Sequence, residues 1–141
     1  MSLNLRPLQS AVTQLQEAID FSNSDLAKKD SKLFNQFRNS VIQCFEFSYE
    51  LCWRMIKRQL ELDLPTPSEV DQLNFNDMMR TAAERGYVEN PVVWMRYRKL
   101  RNVTFHAYDE KLAQEVYEVA ILFLHDAKEL LRTLQTNSYE T

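Results

Sequence analysis

The stretch SKLFNQFRNSVIQCFEFSYELCWRMIKRQLE, residues 31–61, decides the fold of this chain. It contains no glycine or proline, and it stops before the proline-containing segment LPTP at residues 64–67. On a helical wheel at about 100° per residue, its apolar side chains gather on one side. They are Phe34, Phe37, Val41, Ile42, Cys44, Phe45, Tyr49, Cys52, Trp53, Met55, Ile56 and Leu60. The spacing predicts one long helix with a broad buried face.

The apolar face of this helix is wider than a surface helix needs. Phe47 and Leu51 extend it to roughly two-thirds of the circumference, whereas a surface helix carries a narrower stripe. We expect a small bundle to leave part of this face uncovered, and therefore expect a homodimer. Arg38 projects into the same face between Phe45 and Tyr49. If buried, it needs an acidic or phosphate partner; otherwise its side chain reaches out to solvent.

Four further helices are predicted around the long one. Each has a recognisable beginning or end, such as a capping Asn or Asp, a first-turn proline or a final glycine. They cover residues 7–19, 74–86, 90–100 and 110–134. Asn74 caps the second of these helices and Gly86 ends it, Asn90 and Pro91 start the third, and Asp109 caps the last. Residues 22–25 form a loop or a helix start, and the tail at 136–141 is expected to fray. We therefore expect an all-α, up-and-down antiparallel bundle of about five helices with a four-helix core, forming one domain over residues 1–141.

The composition excludes several classes of protein. At 45% hydrophobic and 26% charged residues the chain is globular, and the formal net charge of −3 argues against a general nucleic-acid coat protein. No apolar run approaches the roughly 20 residues of a membrane span, and the polar start does not resemble a signal peptide, so we expect a cytoplasmic location. Cys44 and Cys52 lie two helical turns apart, too far for a disulfide, and are expected to be buried fillers.

Motifs for common enzyme chemistries are missing from the sequence. Gly86 is the only glycine, so there is no glycine-rich phosphate loop, and the sequence has no HExxH, CxxC or DxD. We expect no metal site and no cofactor. Of the two histidines, His125 lies within an ordinary helical segment and is expected to be structural.

His106 has neighbours that suggest chemistry. If the segment is helical, Asn102 and His106 share a face four residues apart, and Asn102 then orients the imidazole. Arg101 is displaced from His106 by about 140° on the same wheel but lies close to Tyr108. The arginine and the histidine of one chain therefore need not contact the same substrate group. Two chains packed side by side could combine the arginine of one with the histidine of the other in one site.

A basic cluster precedes these residues. Arg96, Arg98 and Lys99 alternate with Trp94 and Tyr97, and charges with stacking rings are what a single RNA strand requires. The alternative is a solvated helix face whose aromatic rings point inward, and composition does not separate the two.

Two segments resemble a known family. RNSVIQCFEFSYELCWR, residues 38–54, is similar to the long-helix signature of the nucleotidyltransferase substrate-binding proteins of the HEPN superfamily. The matching residues are Ile42, Gln43, Phe45, Glu46, Phe47, Glu50, Leu51, Trp53 and Arg54, whereas Asn39 and Cys44 depart from the pattern. RNVTFHAYDE, residues 101–110, resembles the HEPN motif Arg-x-x-x-x-His-x-Tyr.

The resemblance implies a homodimeric HEPN-like bundle encoded beside a minimal nucleotidyltransferase. In toxin members, arginine and histidine of two protomers form a metal-independent ribonuclease site, and the nucleotidyltransferase neutralises it by transferring AMP to the motif tyrosine. For this sequence the resemblance implies that Arg101 binds the phosphate and that His106 acts as general acid or base. It also implies that Asn102 orients the His106 imidazole and that Tyr108 accepts AMP. Arg96, Arg98, Lys99 and Arg38 are the candidate contacts to RNA or nucleotide.

Three functional hypotheses follow. The first is the toxin-type ribonuclease. The second is a non-catalytic subunit that presents substrate to the nucleotidyltransferase. The third, a purely structural bundle, requires Arg101, Asn102, His106 and Tyr108 to coincide by chance, and RNA cleavage separates the first from the second.

Overall fold

The long segment forms helix α3 (Ser31–Asp63) in the computed structural model, which describes the backbone of residues 3–140 and the side chains of 3–137. Asp30 caps its start, because the carboxylate accepts hydrogen bonds from the backbone N–H groups of Lys32 and Leu33 at 3.0 and 3.3 Å. The helix ends where the LPTP segment follows, two residues beyond the predicted limit. The prediction of one long helix is confirmed.

The other helices surround α3. They are α1 (Arg6–Ser22), α2 (Asp25–Lys29), α4 (Ser68–Asp71), α5 (Phe75–Glu84), α6 (Pro91–Asn102) and α7 (Glu110–Glu140). The predicted caps Asn74, Asn90 and Asp109 each accept a backbone N–H, and Gly86 follows α5 with a φ of 83°. The short helices α2 and α4 were not predicted as separate elements. Ser22 ends α1 and Ser24 caps α2, so the segment at residues 22–25 is a short turn that leads into a helix start.

Helix α1 runs antiparallel to both α3 and α7, as expected between neighbours in an up-and-down bundle. Phe21 stacks on Phe37 at one end of α1, and Ser48 donates to the carbonyl of Ala11 near the other, so α1 and α3 are antiparallel. Hydrogen bonds between Ser22 and Tyr117 and between Gln16 and Lys128 show the same antiparallel relation between α1 and α7. Consequently α3 and α7 run in the same direction, and α5 and α6 pack against each other beside them.

The centre of the bundle is aromatic. Phe123 of α7 makes edge-on contacts with the rings of Phe45, Trp94 and Tyr97, whose centroids lie 5.1 to 5.8 Å away. Cys44 and Cys52 are buried free thiols, as predicted, and burial raises the pKa of both. The all-α architecture is confirmed, and no strand occurs among residues 3–140.

The broad apolar face of α3 is covered within the chain more fully than expected. Val41, Phe45, Cys52, Ile56 and Leu60 are fully buried by the surrounding helices. Only Phe47 remains substantially exposed, at 38%. Most of this face is therefore buried within the chain, mainly against α1 and α7, and it does not by itself require a partner surface. The homodimer stays a prediction.

The last helix is longer than predicted. Its helical backbone continues past Leu134 to Glu140, through the stretch in which fraying was expected, and Thr141 lies outside the described residues. Within the described part of the chain, no helix combines the length and hydrophobicity that crossing a membrane requires.

Candidate active site

The segment that carries the candidate residues is a turn between two helices, not a continuous helix. Helix α6 ends at Asn102, and Thr104–His106 form one turn of 3₁₀ helix. The buried Thr104 hydroxyl donates to the carbonyl of Arg101 at 2.9 Å and closes the helix end. The expected helical face shared by Asn102 and His106 is therefore wrong, as is the one shared by Arg101 and Tyr108, because the helix ends between the members of each pair.

His106 and Tyr108 lie together on the exposed side of this turn. The Tyr108 hydroxyl is 3.4 Å from Nδ1 of His106, and Tyr108 is 85% exposed. The adjacent Phe105 is 73% exposed, and its ring centroid lies 4.0 Å from that of the imidazole. Tyr108 does not pack its ring into the bundle, so its hydroxyl is accessible to an enzyme, and the imidazole is open to solvent on the same surface.

Arg101 lies on the other side of the helix end, against α3. Its Nε is 3.3 Å from Oε1 of Glu50, and each side chain is about one-third exposed, at 32% and 30%. Glu50 also accepts a hydrogen bond from the Trp53 indole at 3.0 Å and lies 3.8 Å from Arg54. Glu50 therefore positions the guanidinium and partly neutralises it.

Asn102 is exposed and does not orient His106. It lines a cleft of about 320 Å³ between α3, α5 and α6, together with Tyr49 and Arg98. His106 and Tyr108 instead line an open groove of about 410 Å³ with residues from the start of α7. The structure thus places the four motif residues around one helix end but on two neighbouring surfaces.

The basic cluster forms an exposed face of α6. Arg96, Arg98 and Lys99 are exposed, whereas Trp94 and Tyr97 are each only 2% exposed and belong to the core. Of the two alternatives, the inward-pointing rings are confirmed, so these aromatics do not stack on RNA. The charges remain available to a phosphate backbone.

Arg38 has an acidic partner within the chain. Its Nη1 and Nη2 donate to the two carboxylate oxygens of Glu110 at 2.8 and 2.7 Å, and Nη1 also donates to Gln114 at 3.1 Å. The bonds to Glu110 raise the pKa of Arg38. Arg38 is only 4% exposed, so the structure gives it a structural role and not the RNA contact expected from the sequence.

Two residues of this site were missed. Glu50 was matched to the family signature without a role, and its pairing with Arg101 joins positions 51 residues apart, which no local spacing reveals. Phe105 was not singled out, and the local sequence gives no sign of its exposure. His125 is exposed on α7, away from these groups.

Comparison with known proteins places this arrangement in a family. Residues 3–136 match the family model described as nucleotidyltransferase substrate binding protein like. The chain is 39% identical over 101 residues to a protein of Haemophilus influenzae named probable ribonuclease HepT, covering 71% of this chain and 69% of that one. A solved structure from the same species, described as revealing the fold of a substrate binding domain of a nucleotidyltransferase, superposes with a TM-score of 0.87 at 31% identity, covering 94% of this chain and 99% of the other. The chain therefore belongs to the nucleotidyltransferase substrate binding protein family.

Proposed function

We propose that this protein is a HEPN-type toxin, a metal-independent ribonuclease whose site is shared between the two chains of a homodimer. The observation that carries the proposal is the exposed turn, where His106 lies beside the solvent-exposed rings of Phe105 and Tyr108. Among the described residues, no hydrogen bond or ion pair joins the side chains of Arg101 and His106. In the proposed homodimer, a second copy packed on this turn brings its arginine to the histidine of the first chain and its histidine to the arginine of the first chain. The name of the Haemophilus influenzae relative, probable ribonuclease, supports the same activity.

The proposed chemistry needs a base and a cation. The ribose 2′-hydroxyl attacks the adjacent phosphorus while an imidazole accepts its proton, and the bond from phosphorus to the 5′-oxygen breaks. The leaving 5′-oxygen takes a proton from a second general acid or from water. Arg101 stabilises the charge that develops on the phosphate oxygens. The exposed face of Arg96, Arg98 and Lys99 holds the rest of the strand.

RNA cleavage by single variants tests this proposal. We expect the wild-type protein to cleave single-stranded RNA equally with and without EDTA. His106→Ala and Arg101→Ala each reduce the rate at least 100-fold, because each removes a separate catalytic group. Mixing the two inactive variants restores part of the activity through heterodimers. Circular dichroism and melting temperature serve as the folding controls, and His125→Ala, the other histidine, keeps full activity. Full activity in either catalytic variant contradicts the assignment.

The proposed regulation is AMP transfer to Tyr108. The phenol oxygen attacks the α-phosphorus of ATP, pyrophosphate leaves, and the phenol proton passes to a base of the partner nucleotidyltransferase, which is expected to be encoded nearby. An unactivated phenol is a poor nucleophile, so the partner supplies the metal and the base. The attached nucleotide adds negative charge and bulk beside His106 and blocks an RNA backbone.

Mass spectrometry of the co-expressed pair tests the modification. We expect one or more AMP units on Tyr108 and loss of cleavage, and we expect Tyr108→Phe to stay unmodified and active beside the same nucleotidyltransferase. Tyr117, which is buried against Ser22, serves as an internal control and remains unmodified. An unmodified Tyr108 from a demonstrably active nucleotidyltransferase contradicts this mechanism.

A second candidate function is a non-catalytic subunit that binds substrate for the nucleotidyltransferase. The descriptions of the family and of the Haemophilus influenzae structure favour it. In that case no RNA is cleaved, and the nucleotidyltransferase acts on its substrate only when this chain is present. The cleavage assay separates the two candidates.

A further inference from the structure

The cleft between α3, α5 and α6 has the lining of a ligand site. Its volume of about 320 Å³ lies within the range of small-molecule pockets. Trp53 and Phe75 contribute aromatic surface, Lys57 and Arg98 contribute positive charge, and Asn102 contributes an amide. The remaining lining side chains are those of Tyr49, three apolar residues and two carboxylates; the apolar ones are Val70, Leu73 and Met78, and the carboxylates are Glu50 and Asp71. A mixture of rings, cations and a few polar groups suits a flat heteroaromatic ligand that carries a phosphate.

Tyr49, which also lines this cleft, has a buried hydroxyl without a partner. The residue is 1% exposed, and within the described part of the chain its oxygen makes no hydrogen bond. A buried polar atom left unpaired destabilises the fold, and such atoms are few in natural proteins. Burial raises the pKa of Tyr49 well above its ordinary value, so the group stays a neutral phenol, able to donate and to accept. A ligand seated deep in the cleft becomes the missing partner once the side chains that now cover this oxygen move aside.

The two aromatic side chains of the cleft, Trp53 and Phe75, each contact the guanidinium of an arginine. The Arg98 guanidinium lies 4.7 Å from the centre of the Phe75 ring, and that of Arg54 lies 5.7 Å from the centre of the Trp53 ring. Guanidinium stacking on an exposed ring marks a face on which another flat π-system also stacks. The cleft has two cationic side chains. Lys57 forms an ion pair with Asp71 at 3.1 Å, whereas Arg98 forms no ion pair with an acidic side chain among the described residues.

The cleft adjoins the candidate catalytic arginine. Glu50 lines the cleft and contacts Arg101, and Asn102 lines the cleft directly after Arg101 in sequence. A phosphate attached to a ligand in the cleft therefore lies on the side of α6 where the exposed Arg98 and the half-buried Arg101 meet.

We propose that this cleft binds a nucleotide, with the base stacked between Trp53 and Phe75, the Tyr49 hydroxyl bonded to the edge of the base, and the phosphate held by Arg98. The proposal rests on the proposed function for its link to RNA, and it adds a binding site that is separate from the groove of His106 and Tyr108. The nucleotide comes either from an RNA strand or from solution, and both sources share this chemistry.

Tryptophan fluorescence of the full-length protein gives a direct readout. Trp53 lines the cleft, whereas the only other tryptophan, Trp94, is 2% exposed in the core. We expect AMP, UMP or a single-stranded tetraribonucleotide to quench the emission in a saturable manner, and Trp53→Phe to abolish the quench. Binding of the tetranucleotide alone assigns the site to an RNA strand, and binding of the mononucleotides as well assigns it to free nucleotides. Inorganic phosphate alone is expected to leave the emission unchanged.

Removal of the unpaired hydroxyl is the sharpest test. Tyr49→Phe is expected to weaken nucleotide binding roughly 3- to 10-fold, the value of one hydrogen bond, without lowering the melting temperature. Tyr97→Phe is the matched control, because that buried hydroxyl donates to Asp126 within the protein. It is expected to lower the melting temperature and leave nucleotide binding intact.

Several results overturn the proposal: no saturable quench, a quench that persists in Trp53→Phe, an equal response to inorganic phosphate, or unchanged affinity in Tyr49→Phe. These results are independent of RNA cleavage. Cleavage that depends on His106 without nucleotide binding in the cleft refutes this inference and leaves the ribonuclease assignment standing. Binding without cleavage refutes the ribonuclease and supports the cleft.

Discussion

Arg38 shows how a single residue ties the first half of the bundle to the last helix. Its guanidinium lies in the interior and makes two parallel hydrogen bonds to Glu110, an exposed carboxylate in the first turn of α7. These bonds hold the pKa of Glu110 below its ordinary value of 4.5. A carboxyl whose folded-state pKa is depressed contributes stability above its unfolded pKa and loses that contribution as the pH falls through the folded value.

Replacement of Glu110 therefore has a pH-dependent effect. We expect Glu110→Gln to lower the melting temperature at pH 7 by roughly 3–5 °C, because the buried guanidinium loses its charged partner. The difference from wild type shrinks as the pH falls below 4.5 and through the lowered folded-state pKa, because the wild-type carboxyl then becomes protonated too. Glu115→Gln, an exposed glutamate of the same helix, is the control and changes the melting temperature at neither end of the pH range. A difference that stays constant down to the lowest pH at which the wild type is folded shows that the charge of Glu110 is not what stabilises the pair.

The connection between α6 and α7 determines the geometry of the candidate site. Helix α6 ends at Asn102, and a turn follows. The buried Thr104 hydroxyl closes this turn by donating to the Arg101 carbonyl. Asp109 then starts α7 by accepting the N–H groups of Lys111 and Leu112 at 3.0 and 3.1 Å. His106 and Tyr108 are thus held between a closed helix end and a capped helix start.

The Thr104 hydroxyl is expected to hold this turn in place. Thr104→Val keeps the shape and burial but removes the bond to the Arg101 carbonyl, and we expect a loss of about 1 kcal/mol in the free energy of unfolding. Amide hydrogen exchange at residues 103–108 is expected to accelerate at the same time. Thr133→Val, which removes a similar bond to the Glu129 carbonyl within α7, is the control and leaves the turn protected. Unchanged exchange in Thr104→Val contradicts a role for this bond in the site.

At the scale of the whole molecule, the exposed rings of the turn are the best basis for a dimer. The broad face of α3 no longer supports one, since the chain covers most of it. Phe105, at 73% exposure, presents an apolar ring beside His106 and is the surface proposed for the second copy, while Tyr108 borders it with its hydroxyl left accessible. Aromatic residues such as Phe105 are enriched in interfaces between proteins.

Light scattering tests the dimer and its location. We expect twice the chain mass of 16.8 kDa at micromolar concentration. Phe105→Ser is expected to shift the equilibrium to the monomer and to reduce RNA cleavage with it. Leu26→Ser removes a side chain of similar exposure, 67%, on α2, and is expected to leave the dimer intact. A wild-type protein of monomer mass, or a Phe105→Ser protein that stays dimeric, contradicts this surface.

The sequence by itself determined the helices, most of their ends and the family of this protein. Helix periodicity, the caps Asn74, Asn90 and Asp109 and the glycine at 86 act over a few residues, so their effects are visible in the local sequence. The two family segments are local patterns as well, and they singled out Arg101, His106 and Tyr108 as candidate site residues without any knowledge of their positions in space.

Only the tertiary structure decided how those residues are arranged. The buried Thr104 hydroxyl bonds the Arg101 carbonyl at the end of α6, and the environment of Arg101 depends on Glu50, far away in sequence. The partner of Arg38 is 72 residues distant, and the coverage of α3 depends on packing against the remote helices α1 and α7. Such contacts arise when packing brings remote segments together, and the free energy of burial that selects them is a property of the whole fold and not of any one segment.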